Sequence, residues 1–155
     1  MHFRILSIQN KSKIWEEEGV LHYIKQLGSL HSIKFIDIAC KSSQHDTSDQ
    51  IKFRESEAII GKLRKDALVI AWDKNCGKEI SSADFANFLA QAQLATSNID
   101  FIIGGSHGVS STLLERADHI FSASKLTFPH RLFKIILVEQ IFRAIKIQAN
   151  HPYHK

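Results

Sequence analysis

Short apolar runs alternate along this chain with longer stretches of helical periodicity, and that rhythm limits the possible folds more than any other feature. Ala67–Trp72 and Ile99–Ile103 are the clearest runs. Successive side chains of a strand point to opposite faces, so a strand that is apolar at consecutive positions needs cover on both sides. The interleaved helical stretches supply that cover. The pattern predicts an α/β domain: a parallel sheet flanked by helices on both faces.

The remaining elements follow from period and punctuation. His2–Ile8 alternates as a strand, and Ile14–Leu27 reads as a helix with Val20, Leu21, Ile24 and Leu27 inward and Gly28 as its stop. Ile33–Ala39 places Ile33 and Phe35 on one face and Ile36 and Ile38 on the other, a strand covered on both sides. After a polar loop, Asp49–Lys65 is expected to be helical along Ile51, Ala58, Ile59 and Leu63. Ser81 or Ser82 caps a helix through Ala95, with Phe85, Phe88, Leu89 and Ala92 inward. Ser110 or Ser111 opens a short helix to Ala117, His119–Phe121 is a strand, and His130–Gln148 is the last helix. Residues 1–155 form one domain, with no internal repeat or linker.

An apolar share of 44% and a charged share of 23% are those of a globular chain. No apolar run reaches the roughly 20 residues that span a bilayer, and the first residues lack a signal peptide's layout, so no membrane contact and a cytoplasmic location are expected. Cys40 and Cys76 stand far apart, which argues against a disulfide framework or a zinc site. The last helix carries Ile135, Ile136, Leu137, Val138, Ile141, Phe142, Ala144, Ile145 and Ile147, more than one apolar stripe. That excess predicts a second subunit against it, most simply in a homodimer. From Lys125 onward the charged residues are Lys125, Arg131, Lys134, Arg143, Lys146 and Lys155, opposed by Glu139. This is either a face for polyanions or a solvated helix surface.

Two segments stand out as candidate sites. Gly104-Gly105-Ser106-His107-Gly108 follows a buried strand, where a parallel sheet receives ligands; a tight turn would use the same glycines. Ser122–Phe128 is the neighbouring loop, and His130 at the start of the last helix is either a neutral base or a cap. Asp73 is either a catalytic acid or a partner for backbone amides. Beyond Pro152, Tyr153, His154 and Lys155 leave the helix with groups that can donate, accept and stack. His151 and His154 share a His-x-x-His spacing, but Pro152 lies between them and no Asp, Glu or Cys beside them, so no metal site is expected.

Four ordered motifs carry a resemblance: Ile103-Gly104-Gly105-x-x-Gly108, Ser124-x-x-Thr127-Phe128-Pro129-His130, Glu139-x-x-x-Arg143-Ala144 and His151-Pro152-Tyr153-His154. In these the chain resembles, over its whole length, the ribosomal RNA large subunit methyltransferase H family. Its members are SPOUT-class enzymes that methylate N3 of a pseudouridine in large-subunit (23S) ribosomal RNA of the assembled ribosome. The resemblance implies a C-terminal trefoil knot, a homodimer with sites at its interface, and S-adenosylmethionine held by three loops. By position those loops are Trp72, Gly104, and the run Ala123, Ser124, Lys125, Leu126, Thr127 and Phe128. It further implies His130 or His154 as base, Arg143 as electrostatic support and Tyr153 as a positioning or stacking group. Lys125, Arg131, Lys134 and Lys155 are then expected on RNA phosphates. Trp72 stands where relatives have leucine, and its larger ring could still pack on adenine; Phe142 stands where tyrosine is common. The alternative is a non-catalytic ribosome- or RNA-binding protein that retains the fold.

Overall fold

A computed structural model describes residues 1–41, 43–105 and 107–149. In chain order the elements are β1 (His2–Ile8), α1 (Ile14–Ile24), β2 (Ser32–Ile38), α2 (Ser48–Ile60), β3 (Leu68–Trp72), β4 (Lys78–Glu79), α3 (Ser82–Ala95), β5 (Asn98–Ile103), α4 (Ser111–Glu115), β6 (His119–Ser122) and α5 (His130–Gln148). The strands form one sheet in the order β2-β1-β5-β3-β6-β4. Every pairing is parallel, with Phe3 opposite Ile33 and Ile99, and Trp72 opposite Ile103 and Phe121.

Alternation along the strands splits the core into two layers. Phe3, Ile5, Ile70, Ile99 and Phe101 point to the face covered by α1, α3 and α5, where they meet Val20, Phe85, Leu89, Leu137, Val138 and Ile141. Leu6, Ile8, Val69, Ala71 and Ile102 point to the other face, against Ile59 of α2 and Leu113 of α4. The starts of α2, α3 and α4 are fixed by hydroxyl caps. Thr47 Oγ1 accepts from the Gln50 amide at 3.2 Å, Ser81 Oγ from the Asp84 amide at 3.1 Å, and Ser110 Oγ from the Leu113 amide at 3.2 Å.

The differences from the sequence reading have local causes. Helix α1 ends at Ile24, not Leu27, because the Gln26 and Leu27 amides donate three residues back and tighten the chain into a turn. Leu21, expected inward, faces solvent. Helix α2 likewise ends at Ile60, with Lys62 and Leu63 in the same kind of turn. Strand β4 was not foreseen: its two residues are exposed and polar, and carry no pattern. Most of the apolar surface of α5 is covered within one chain. Leu137, Val138, Ile141, Phe142 and Ala144 are buried, and Ile135, Ile145 and Ile147 pack on the same core. Helices α1 and α3 flank α5, so its extra stripe does not by itself require a second subunit.

One crossing shapes the upper edge of the sheet. Strand β6 lies between β3 and β4, although β3 and β4 are joined directly by residues 73–77. That bridge passes over the carboxyl end of β6 in backbone contact. The Asp73 amide donates to the Phe121 carbonyl at 2.9 Å, and a Cβ on Gly77 would lie 2.3 Å from the Phe121 carbonyl carbon. Backbone atoms cannot give way as a flexible side chain can. Gly77→Ala should therefore cost about 2–4 kcal/mol in urea unfolding, whereas Gly28→Ala, with open space around its Cβ, should cost far less. Equal losses at the two positions would mean the crossing is loose.

Candidate active site

The carboxyl ends of β5, β3 and β6, neighbours in the sheet, open into a cavity of about 730 Å³. That volume is within the range of about 300–1,000 Å³ usual for small-molecule sites. One wall is the bridge after β3, the second the glycine loop after β5, and the third the segment from Ser122 to Phe133.

Each wall is held by its own local bonds. Asp73 Oδ1 accepts from the amides of Asn75 at 2.8 Å and Cys76 at 3.0 Å, and from Cys76 Sγ at 3.2 Å. Burial tends to raise its pKa, but these bonds outweigh it and hold the carboxyl below its ordinary range. Asp73 is thus the anchor of a turn, not a free acid. In the second wall the Gly108 amide donates to the Gly105 carbonyl at 3.0 Å, and Gly108 has φ +83°, a left-handed conformation suited to glycine. The glycine segment is both a tight turn and a wall of the cavity. In the third wall Ser122 Oγ donates to the Ser124 carbonyl at 3.2 Å, and Ser124 Oγ accepts from the Leu126 amide at 2.9 Å.

Trp72 supplies apolar surface at the base, surrounded by Phe85, Phe121 and Phe133 at centroid distances of 5.6, 5.8 and 5.5 Å. The residue is only 8% exposed, so the indole belongs chiefly to the core and has little surface left for packing on adenine. Its Nε1 and the Nε2 of His130 are buried without a hydrogen-bond partner among the described residues. Burial and then the Arg131 charge lower the His130 pKa; Glu16 pulls the other way, and Lys134 adds a smaller downward push. The imidazole is therefore neutral at neutral pH.

His130 owes its position to a buried ion cluster. Lys134, one turn along α5, is 2% exposed, and its Nζ lies 3.0 Å from Glu16 of α1 and 2.8 Å from Asp37 of β2. Arg131 Nη1 donates to Glu16 at 2.7 Å and to the Lys11 carbonyl at 3.0 Å. Lys134 is thus enclosed and cannot meet a phosphate, which corrects the expectation for that residue, while Arg131 is engaged by Glu16 and the Lys11 carbonyl.

Of the other residues expected from sequence, Gly104, Ala123, Ser124, Leu126, Thr127 and Phe128 line the cavity with Trp72 and His130, whereas Lys125 does not. Arg143 pairs with Glu139 at 2.6 Å and stands roughly 20 Å from His130 along the same helix, so one subunit does not bring them together. Tyr153 and His154, and Lys155 with them, lie outside the described residues. Sequence reasoning missed Lys74, Val109 and Phe133 as wall residues, while His107 lines the cavity as part of the glycine run singled out from sequence. Lys74 could have been found by its place two residues after a strand-end tryptophan. Among the described residues no group of His, Cys, Asp and Glu is placed to hold a metal, and no helix is long and apolar enough to cross a membrane.

Burial raises the carboxyls of Glu16 and Asp37, but Lys134 and their other hydrogen-bond partners together outweigh it, and both sit below their ordinary values near 4. The stabilisation they give is full above that range and is lost as pH falls through the folded values. Lys134→Met leaves Glu16 buried beside Arg131 alone, and should cost about 3–5 kcal/mol at neutral pH. Because Glu16 becomes protonated in the variant, the deficit should shrink as pH is lowered in chemical-denaturation curves. The His130 Cε1 proton should titrate with a midpoint below about 6.5 in NMR spectra.

The family model described as "Predicted SPOUT methyltransferase" matches residues 1–154. The chain is 38% identical to the ribosomal RNA large subunit methyltransferase H of Bifidobacterium adolescentis and 36% identical to that of Carboxydothermus hydrogenoformans, over the full length of both partners in each comparison. A probable methylase family protein from Haemophilus influenzae superposes on 99% of this chain and 70% of its own, with a TM-score of 0.59 at 14% identity. A putative methylase family protein from Neisseria gonorrhoeae gives 0.51 over 90% and 81%, at 11% identity. These two structures share the fold, and the full-length sequence matches go further: the chain belongs to the SPOUT methyltransferases, in the family of ribosomal RNA large subunit methyltransferase H.

Proposed function

We propose that this protein is an S-adenosylmethionine-dependent methyltransferase that modifies N3 of a pseudouridine in large-subunit ribosomal RNA, working in the cytoplasm as a homodimer on the assembled ribosome. The observation that carries the reading is the cavity itself, walled by the three loops at the ends of β3, β5 and β6 in a chain that matches methyltransferase H proteins from end to end. Its chemistry suits the cofactor. The Trp72, Phe121 and Phe133 side offers apolar surface, the close-turned glycine loop admits a ligand to the backbone, and unpaired polar atoms remain on Trp72 and His130. Trp72, Gly104 and the residues from Ala123 to Phe128 are the proposed holders, with Lys125 presenting its backbone if it takes part.

S-adenosylmethionine supplies an electrophilic methyl group on a sulfonium. The walls orient N3 of the base in line with that methyl, which provides most of the acceleration. N3 carries an imide proton, and neutral His130 takes it at Nε2, with His154 as the other candidate. Arg143 and Tyr153 complete the site from a second copy, since Arg143 is remote from His130 within one chain. Ile14, Trp15 and Leu132, which crowd the starts of α1 and α5 and are at least 40% exposed, offer apolar surface for that copy. The passage of residues 73–77 over the end of β6 supports the knotted path of the family. Lys125 and Lys155 remain for RNA phosphates.

Mass mapping of ribosomal RNA from a strain lacking the gene, with and without added protein and cofactor, tests the reaction. A methyl on one pseudouridine is expected only with both; cofactor binding with no methyl transferred would favour the non-catalytic alternative. In single-turnover assays His130→Ala should slow transfer by about 10²–10⁴-fold, with affinity for S-adenosylhomocysteine changed little. Normal turnover in that variant would remove His130 as base.

A further inference from the structure

Lys74 is the one lysine or arginine among the described residues that line the cavity. It stands in the bridge after β3, where the Asp73 bonds and the Gly77 contact with Phe121 fix the backbone. Its ammonium crosses the mouth and donates to Thr127 Oγ1 at 2.5 Å, joining the first wall to the third. No ion pair of Lys74 occurs among the described residues. The adjacent carboxylate, Asp73, is turned to the Asn75 and Cys76 amides. The partner is therefore a neutral hydroxyl, and the positive charge is uncompensated within a concave wall.

An arrangement of this kind attracts an anion. A charge-assisted bond from an ammonium to an oxyanion is roughly twice as strong as one to a neutral oxygen. A ligand that brings an oxyanion to the mouth therefore displaces Thr127 from Lys74. We infer that Lys74 is an anion-binding residue of this cavity, exchanging the Thr127 hydroxyl for an oxyanion of the incoming ligand. The inference rests on the methyl-donor reading above, which offers two sources of that oxyanion: the carboxylate of the cofactor's amino-acid arm and a phosphate of the RNA. No bond is made or broken in the exchange, and the role is one of binding.

The test uses the full-length protein and two variants, Lys74→Met and Lys74→Arg. Calorimetry measures binding of S-adenosylhomocysteine, which carries the carboxylate, and of 5′-methylthioadenosine, which lacks it. Ribosome affinity is measured across a salt series. If the carboxylate is the anion, Lys74→Met should weaken S-adenosylhomocysteine by about tenfold, leave methylthioadenosine unchanged, and recover in part with arginine. If a phosphate is the anion, both small-molecule affinities should stay level while ribosome affinity falls and its salt slope decreases by about one. Lys74 is exposed, so thermal unfolding of the free Lys74→Met variant should match the parent. Unchanged binding of all three ligands in Lys74→Met would overturn this role while leaving the methyl-donor reading intact. Failure of the parent protein to bind S-adenosylhomocysteine at all would overturn both.

Discussion

The structure depends on a single enclosed ammonium. Lys134 lies between Glu16 and Asp37, and so ties α5 to α1 and to β2 at the carboxyl end of the sheet. An ion taken out of water gives up hydration worth several kcal/mol, so such a group persists only where its counter-charges are fixed. Here both are fixed. Asp37 is further held by Ser7 and Ser12, and Glu16 by Arg131. The result is a defined starting point for α5, and with it the placement of His130 and Phe133 in the cavity wall. A second buried carboxylate does similar work at the opposite end of the strands. Asp100 accepts from Arg4 and Arg64, and their bonds overcome the upward pull of burial on its pKa. The two ends of the sheet are thus clamped by charge, while its middle is held by apolar packing.

The cavity divides its tasks among elements of unequal rigidity. The strand ends are buried and paired on both sides, so Trp72, Ile103 and Phe121 form a stiff base. The loops above are shaped by single hydroxyls and one carboxylate, each satisfying nearby amides. Local bonds of this kind hold a loop in register without burying it. Binding surface can then vary without disturbing the core that positions it.

Much of this was legible in the sequence, for physical reasons that apply residue by residue. The runs at Ala67–Trp72 and Ile99–Ile103 could be read because a doubly covered strand has to be apolar at nearly every position. Helix α5 has the predicted limits, since Pro129 fixes its entry and its apolar side chains recur at helical spacing. Ser81 and Ser110 announced their helices as caps. What could not be read was whatever depends on distant partners. Lys134 looks like any solvated helix lysine until Glu16 and Asp37 are brought to it from other elements. The excess of apolar residues on α5 was visible, but the two helices that flank it within the chain were not. Strand order is similarly absent from local pattern: nothing in Lys78–Glu79 tells that β6 will separate it from β3.

That interposed strand has a consequence for how the molecule is made. During synthesis residues 68–79 leave the ribosome well before residues 119–122, so two strands joined by a tight span exist before the one that must fit between them. If they settle early, the later segment has to slide into a slot whose top is already roofed by the Asp73–Gly77 backbone. Long-range parallel pairing is slow to form even without such an obstacle. The latecomer also carries α5 behind it, and with that helix the third cavity wall and His130. Competence to bind should therefore appear as the final event of maturation, well after the rest of the sheet has closed.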